Sequence, residues 1–260
     1  MTQAEKPIGV LDSGVGGLSV LKELIRLMPN ENFIYFGDSV NAPYGTKNME
    51  QVRDIVFRNT EKLLSVGIKA LVIACNTATG AAAKALRESY PDLPIIGIEP
   101  AIKPAMQDKP NPTVVVMATP LTLHQEKFKL LMSRFTDEAN IIPLPCAGLM
   151  DIIESGDTSG ERLETYLDEL FSHVDKDKVD CVVLGCTHYP HVKNEIIKAL
   201  GGGVHVFDGG EGTAKETRRR LKEKNLLNPS DKKGFVSFIY TDGGKEKIEL
   251  SERLLYGKQV

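Results

Sequence analysis

Short, wholly apolar runs alternate with amphipathic helical stretches along nearly the whole chain, and that alternation limits the possible folds more than any other feature. "IGVLD" (8–12) leads into "GLSVLKELIRLM", whose apolar residues recur at helical spacing. "NFIYFGD" (32–38) leads into an amphipathic stretch from about Thr46 to Val66, and "KALVIAC", the helix after Cys75 and "LPIIGIE" complete this half. The rhythm resumes with "TVVVMA", the helix "LTLHQEKFKLLMSRF", "NIIPLP", helices to about His173, "DCVVLGC", another helix and "VHVFDGG". A strand in "GFVSFIYT" (234–241) and a last helix follow. Strands with no polar alternation are buried on both faces, as in parallel sheets covered by helices. The expected fold class is α/β.

The segment 99–112, with Pro100, Pro104, Pro110 and Pro112, interrupts the rhythm and reads as a crossing between domains. The stretches on either side of it correspond. "IGVLDS" matches "VVVMAT", the strand ending at Cys75 matches the strand ending at Cys186, and "IIGIEP" matches "VHVFDG". The order is the same and the spacing nearly so, as expected of a duplicated unit. Two similar α/β units are expected to turn their strand C-termini, where open sheets bind ligands, toward a shared cleft.

Composition narrows the function. A net charge of −3 with both signs interspersed gives no reason to expect a nucleic-acid or membrane partner, and Arg218, Arg219 and Arg220 read as a solvated helix face. No apolar run approaches the ~20 residues of a membrane span, and the first residues carry no signal-peptide core. The cysteines Cys75, Cys146, Cys181 and Cys186 lack zinc-site spacing, so no metal is expected. The expectation is a cytoplasmic protein with free thiols.

The chemistry concentrates at strand ends. "DSGVGG" supplies Asp12 and Ser13 on a turn, with a bland alternative in which either residue caps the next helix. The Pro43-Tyr44-Gly45 turn of "NAPYG" reads either as a plain surface turn or as one that offers a phenol and backbone N–H groups to a carboxylate. Cys146 and Cys181 read as small buried hydrophobes. Cys75 and Cys186 sit at strand-to-helix junctions, where the helix N-terminus favours negative charge on sulfur. Asn76 and Thr77 follow one thiol, and Thr187 and His188 the other. Asp12 is placed to assist near Cys75 and His188 near Cys186. Matched acid–base groups on opposite sides of one bound molecule suit inversion of a stereocentre: one takes a proton and the other returns it.

At these residues the chain resembles the glutamate racemases of the cofactor-independent aspartate/glutamate racemase superfamily. The stretches "GVLDSGVGGLSVLKEL", "YFGDSVNAPYG", "ACNTAT", "IIGIEP" and "LGCTHYP" carry the resemblance across essentially the whole chain. It implies two parallel-sheet α/β domains about a pseudo-twofold axis, with the active site in the cleft between them. The first would comprise 1–98 and 209–260, and the second 99–208. It also implies interconversion of L- and D-glutamate for peptidoglycan synthesis, with no cofactor, by a chain expected to form a homodimer. By motif, Cys75 and Cys186 are the implied acid/bases, serving the D- and L-enantiomer respectively, with Asp12, His188 and Glu154 as auxiliary groups. Implied substrate contacts are Asp12, Ser13, Tyr44, Gly45, Asn76, Thr77, Thr187 and His188. "VVVMATPLTLHQEKF" departs from the family pattern, and Thr119 and Thr122 are taken to supply the hydroxyls there.

Three alternatives stay open on residues alone. An aspartate racemase differs in its substrate by one methylene, which a pocket discriminates by only ~1–3 kcal/mol. A two-domain binding protein would use the same polar loops without paired thiols. A dithiol redox protein would need Cys75 and Cys186 within disulfide reach.

Overall fold

The computed structural model describes residues 2–135 and 137–257. In chain order the elements are β1 (Ile8–Asp12), α1 (Leu18–Leu27), β2 (Phe33–Gly37), α2 (Met49–Ser65), β3 (Ala70–Ile73), α3 (Asn76–Ser89) and β4 (Ile95–Gly97). Then come α4 (Ile102–Met106), β5 (Thr113–Ala118), α5 (Pro120–His124), α6 (Glu126–Ser133), β6 (Asn140–Pro145), α7 (Leu149–Glu154) and α8 (Glu161–Phe171). They are followed by β7 (Cys181–Leu184), α9 (Lys193–Ala199), β8 (His205–Asp208), α10 (Gly210–Glu223), β9 (Val236–Tyr240) and α11 (Lys245–Tyr256). Two compact units result, Met1–Glu99 with Gly210–Val260, and Pro100–Gly209.

The first unit holds a sheet of order β4-β3-β1-β2-β9 and the second a sheet of order β6-β5-β7-β8, with every pairing parallel. Read in reverse, the second sheet repeats the first four strands of the first: β8-β7-β5-β6 stands for β4-β3-β1-β2. The fold is α/β with two parallel sheets, and the strand ending before Cys75 has its topological counterpart in the strand ending before Cys186.

Burial on both faces explains the apolar runs. In the first unit Ile8, Val10, Phe33, Tyr35 and Val72 pack with Leu18, Leu21 and Leu24 of α1, Leu221 of α10 and Leu250 and Leu255 of α11. The alternate residues face α2 and α3. At Gly9 a Cβ would already lie 3.4 Å from Leu63 of α2. In the second unit Val115, Met117, Val182 and Leu184 pack with α7, α8 and α9. Val114, Val116, Cys181 and Val183 pack with Ile102 and Ala105 of α4 and Phe128 of α6. Each such aliphatic side chain contributes roughly 1.5–3 kcal/mol on burial.

Local signals set the boundaries. Asn48 and Gln51 form a capping box, with Gln51 N–H donating to Asn48 Oδ1 at 2.8 Å and Asn48 N–H to Gln51 Oε1 at 3.1 Å. The helix expected from about Thr46 therefore begins at Met49. Pro143 and Pro145 lie in β6, an edge strand, where their missing N–H groups break no ladder bond. The Asn140 and Cys146 N–H groups donate into the β5 side, to Pro112 and Ala118. By the two-residue period of a strand, the two proline nitrogens face away.

The single helix expected from "LTLHQEKFKLLMSRF" is broken. Thr119 caps α5, Pro120 takes its first position, and Gln125 adopts extended backbone (φ −65°, ψ 132°) before α6 starts. His124 Nδ1 meets the Pro120 carbonyl at 2.7 Å, closing the first short helix on itself.

The first unit is pinned at its base by one ion pair. Lys69, fully buried, is bonded to Glu31 and to the Ala4 carbonyl. The second Glu31 oxygen accepts the Asn228 N–H at 2.8 Å. Burial alone lowers the lysine pKa, and the glutamate partly offsets that effect. Removing one partner of a buried pair strands the other charge, which typically costs ~3–5 kcal/mol. Lys69→Met is expected to lower stability by about that amount, read as a fall in the urea midpoint with little change in slope.

Candidate functional site

Three adjacent strand ends of the first unit carry its polar cluster. Asp12 closes β1, Asp38 follows β2, and Cys75 follows β3, with Ala74 N–H donating to Leu11 O at 2.8 Å and Asp38 N–H to Asp12 O at 3.0 Å. Gly17 lets the start of α1 close over them. A Cβ there would stand 2.7 Å from the Asp12 Cβ and 2.9 Å from the Ala74 Cβ. The N-cap position of α1 falls on Gly17 rather than on Asp12 or Ser13. The fully buried Asp12 carboxylate instead accepts the Gly14 N–H at 3.0 Å, and Tyr35 O–H donates to Gly14 O at 2.6 Å from the other side.

Cys75 is the N-cap of α3, with Sγ accepting the Ala78 N–H at 3.5 Å. Asn76 and Thr77 form the first turn, both buried. The Asn76 side-chain oxygen is buried with no hydrogen-bond partner among the described residues, a condition that a donor from a ligand would relieve.

The Tyr44 phenol departs from its expected role. It is buried and donates to Asp38 Oδ2 at 2.7 Å, leaving the backbone N–H groups of Tyr44 and Gly45 as the groups this turn can still offer. Burial and then the Asp38 carboxylate push the phenol's pKa well up, with smaller contributions from the charges of Cys75 and Asp12. All four side chains therefore share one electrostatic environment.

Asp38 is the residue that sequence reasoning missed. Its carboxylate also accepts Asn59 Nδ2 (2.7 Å), Asn41 Nδ2 (3.0 Å) and Thr241 Oγ1 (2.9 Å), while Thr241 Oγ1 accepts the Val40 N–H at 3.0 Å. One buried carboxylate thus fixes the Tyr44 turn against α2 and the end of β9. The only sequence signal was an acid placed just beyond an apolar strand.

In the second unit the thiol is held differently. Strand β7 ends at Leu184, and Cys186 enters a turn followed by a 3₁₀ segment, Tyr189–Val192, with α9 starting only at Lys193. Pro190 stands in that segment, so the junction expected to resemble that of Cys75 has no α-helix N-terminus directly behind its cysteine. An imidazole stands in its place. Cys186 Sγ lies 3.7 Å from His188 Nδ1, and His188 Nε2 lies 2.7 Å from Glu154 Oε1 at the end of α7. Burial would drive the histidine neutral, but hydrogen bonds and charge from Cys186 and Glu154 outweigh it and hold its pKa well above the ordinary 6.5.

Thr119 and Thr122 close the end of β5, with Thr119 Oγ1 donating to Thr122 Oγ1 at 2.9 Å. Gly185 brings that end beside Cys186, since a Cβ there would meet Met117 O at 2.9 Å and Ala118 Cβ at 3.0 Å. Thr187 is buried next to His188. Cys146 donates to Leu144 O at 3.3 Å, and burial raises its pKa. Cys181 faces Ala105 O at 3.8 Å and is pushed up to about 12 by burial, with Asp108 and Asp180 adding to it. Among the described residues, no cluster of three or more His, Cys, Asp or Glu side chains is disposed to hold a metal, and no helix is long and apolar enough to cross a membrane.

Comparison with known proteins gives this arrangement its class. The Asp/Glu/Hydantoin racemase family model matches residues 8–217, and the chain belongs to that family. It is 52% identical to a glutamate racemase of Clostridium botulinum (strain Alaska E43 / Type E3) over 255 residues, covering 98% of this chain and 99% of that relative. Among solved structures, the glutamate racemase of Francisella tularensis in complex with D-glutamate superposes with a TM-score of 0.83 at 32% identity, covering 97% of this chain and 94% of that one. The Escherichia coli glutamate racemase, in complex with L-glutamate and the activator UDP-MurNAc-ala, gives 0.84 at 30% identity, covering 96% and 95%.

The His188 pairing has a direct readout. Its stabilising contribution is complete below pH ~6.5 and is lost as pH rises through the higher folded-state value. The imidazole resonance of His188 is expected to titrate above the ordinary histidine midpoint, and Glu154→Gln to move that midpoint down, as followed by NMR.

Proposed function

We propose that this chain is a glutamate racemase that interconverts L- and D-glutamate by two-thiol proton transfer without a cofactor. The observation that carries the reading is the equivalent placement of Cys75 and Cys186 at the ends of topologically matching strands, each with its own charge-stabilising device. Cys75 takes the D-enantiomer's α-proton and Cys186 the L-enantiomer's, the other thiol returning a proton to the opposite face. At Cys75 the first turn of the 14-residue α3 sets an N–H and the positive end of the helix dipole against sulfur. At Cys186 the His188 imidazolium, oriented by Glu154, does the same.

Removing an α-proton without an electron sink requires donors already in place where charge develops. Asn76, Thr77, Thr119, Thr122, Thr187, Ser13 and the N–H groups of Tyr44 and Gly45 are assigned to substrate binding. Asp12 is assigned as the auxiliary group on the Cys75 side. The lone Asn76 oxygen, an acceptor, suits the substrate ammonium. D-Glutamate made this way supplies peptidoglycan synthesis in the cytoplasm, and a homodimer is the expected assembly. The resemblance of the chain to glutamate racemases supports glutamate over aspartate, and discrimination of one methylene is expected at about 10–200-fold.

Incubating the protein with L-glutamate, and separately with L-aspartate, in deuterated water is expected to give loss of optical rotation with α-deuterium uptake for glutamate. Cys75→Ser and Cys186→Ser are each expected to lower turnover by about 100-fold or more. Turnover of either variant within a few-fold of the parent would overturn the two-thiol scheme.

A further inference from the structure

Cys186, His188 and Glu154 satisfy a geometric pattern that can serve more than proton transfer at carbon. The sulfur faces one ring nitrogen at 3.7 Å, and the other ring nitrogen faces a carboxylate oxygen at 2.7 Å. That is the arrangement of nucleophile, base and orienting group shared by hydrolases that work through covalent acyl intermediates. His188 is buried, so Glu154 on Nε2 leaves Nδ1 directed at the sulfur with little freedom to turn away. In racemisation the imidazole serves to tune the thiol, whereas an imidazole locked from both sides also provides a relay for a leaving group and for water.

The other thiols are placed differently. Cys75 takes a hydrogen bond from the Ala78 amide. Cys146 and Cys181 face the backbone carbonyls of Leu144 and Ala105. Cys186 and Cys75 keep similar small exposed fractions, 8% and 7%, which favours small acyl donors at either, so the imidazole is what sets Cys186 apart.

We propose that Cys186, with His188 and Glu154, forms an acyl-transfer site that takes small activated esters and hydrolyses them through a thioester. In the first step the Cys186 thiolate attacks the ester carbonyl carbon, the carbon–oxygen bond to the leaving alcohol breaks, and the His188 imidazolium gives that oxygen its proton. In the second, neutral His188 takes a proton from water as the water oxygen attacks the thioester. The carbon–sulfur bond breaks, the carboxylic acid leaves, and thiolate and imidazolium are restored. No oxidant, metal or further reactant enters.

The test is to mix the full chain with 4-nitrophenyl acetate, follow release of 4-nitrophenol, and map the acetylated peptide by mass spectrometry. The expected result is a burst of about one equivalent per chain with the acetyl group on Cys186, followed by slower turnover. The burst is expected to persist in Cys75→Ser and vanish in Cys186→Ser. In His188→Gln the acetyl group is expected to remain bound, with turnover down about 100-fold or more. Acetylation of Cys75 or of lysines with Cys186 unmodified would overturn the proposal, as would full turnover in His188→Gln. Mapping on the parent protein decides the site even where a variant fails to fold. Deuterium exchange at glutamate, measured on the same preparation, reports separately on the racemase reading, so either result can fail while the other stands.

Discussion

Parallel pairing is the constraint on which everything else rests. A parallel strand cannot turn directly back on its neighbour, so the chain must cross over and start again from the same edge. Every strand of a sheet then ends at one side, and every residue just past a strand is delivered there. Asp12, Asp38 and Cys75 come together because β1, β2 and β3 are neighbours, although the residues lie far apart in sequence. Thr119, Cys146 and Cys186 stand in the same relation to β5, β6 and β7. The covering helices allow the strands to be apolar throughout, which leaves polar chemistry concentrated at the strand ends.

The two units set different groups against their strand-end sulfurs. In one, fixed backbone dipoles of α3 act on Cys75, and they cannot titrate. In the other, a titrating imidazole acts on Cys186, itself held by a carboxylate. Duplication of topology has not brought duplication of electrostatics. Buried polar groups in both halves are tied into networks, with Asp38 serving four side-chain donors and Glu31 joining Lys69 to the Asn228 backbone. Such networks are rigid when complete, because each member left unpaired would face the full expense of desolvation.

How much of this was legible in the sequence depended on range. Double-sided burial wrote the strands into the chain as apolar runs, and strand-end placement made Cys75 and Cys186 visible as candidates. The Asn48–Gln51 box refined a boundary by two local hydrogen bonds. What escaped was set by distant or competing partners. Asp38 gathers Asn59 from 21 positions away and Thr241 from 203. Tyr44 read as a free phenol because its acceptor lies six residues back on a turn whose shape no periodicity reveals. The 3₁₀ segment after Cys186 contains Pro190, where the pattern reads as the start of a helix. The break at Gln125, by contrast, falls well past Pro120, which holds the first position of α5, where proline is tolerated.

The position of β9 has a consequence for how the molecule is made. Strand β2 finds its outer neighbour only in Val236–Tyr240, and Leu221, Leu250 and Leu255, which cover α1, also come late. As the chain leaves the ribosome, the whole of Pro100–Gly209 emerges before the earlier-made half can be finished. Nascent chains thus carry an open β2 border and a bare leucine face until the last fifth of translation, and any product released early keeps both, with the adhesive hazard of an unpaired strand.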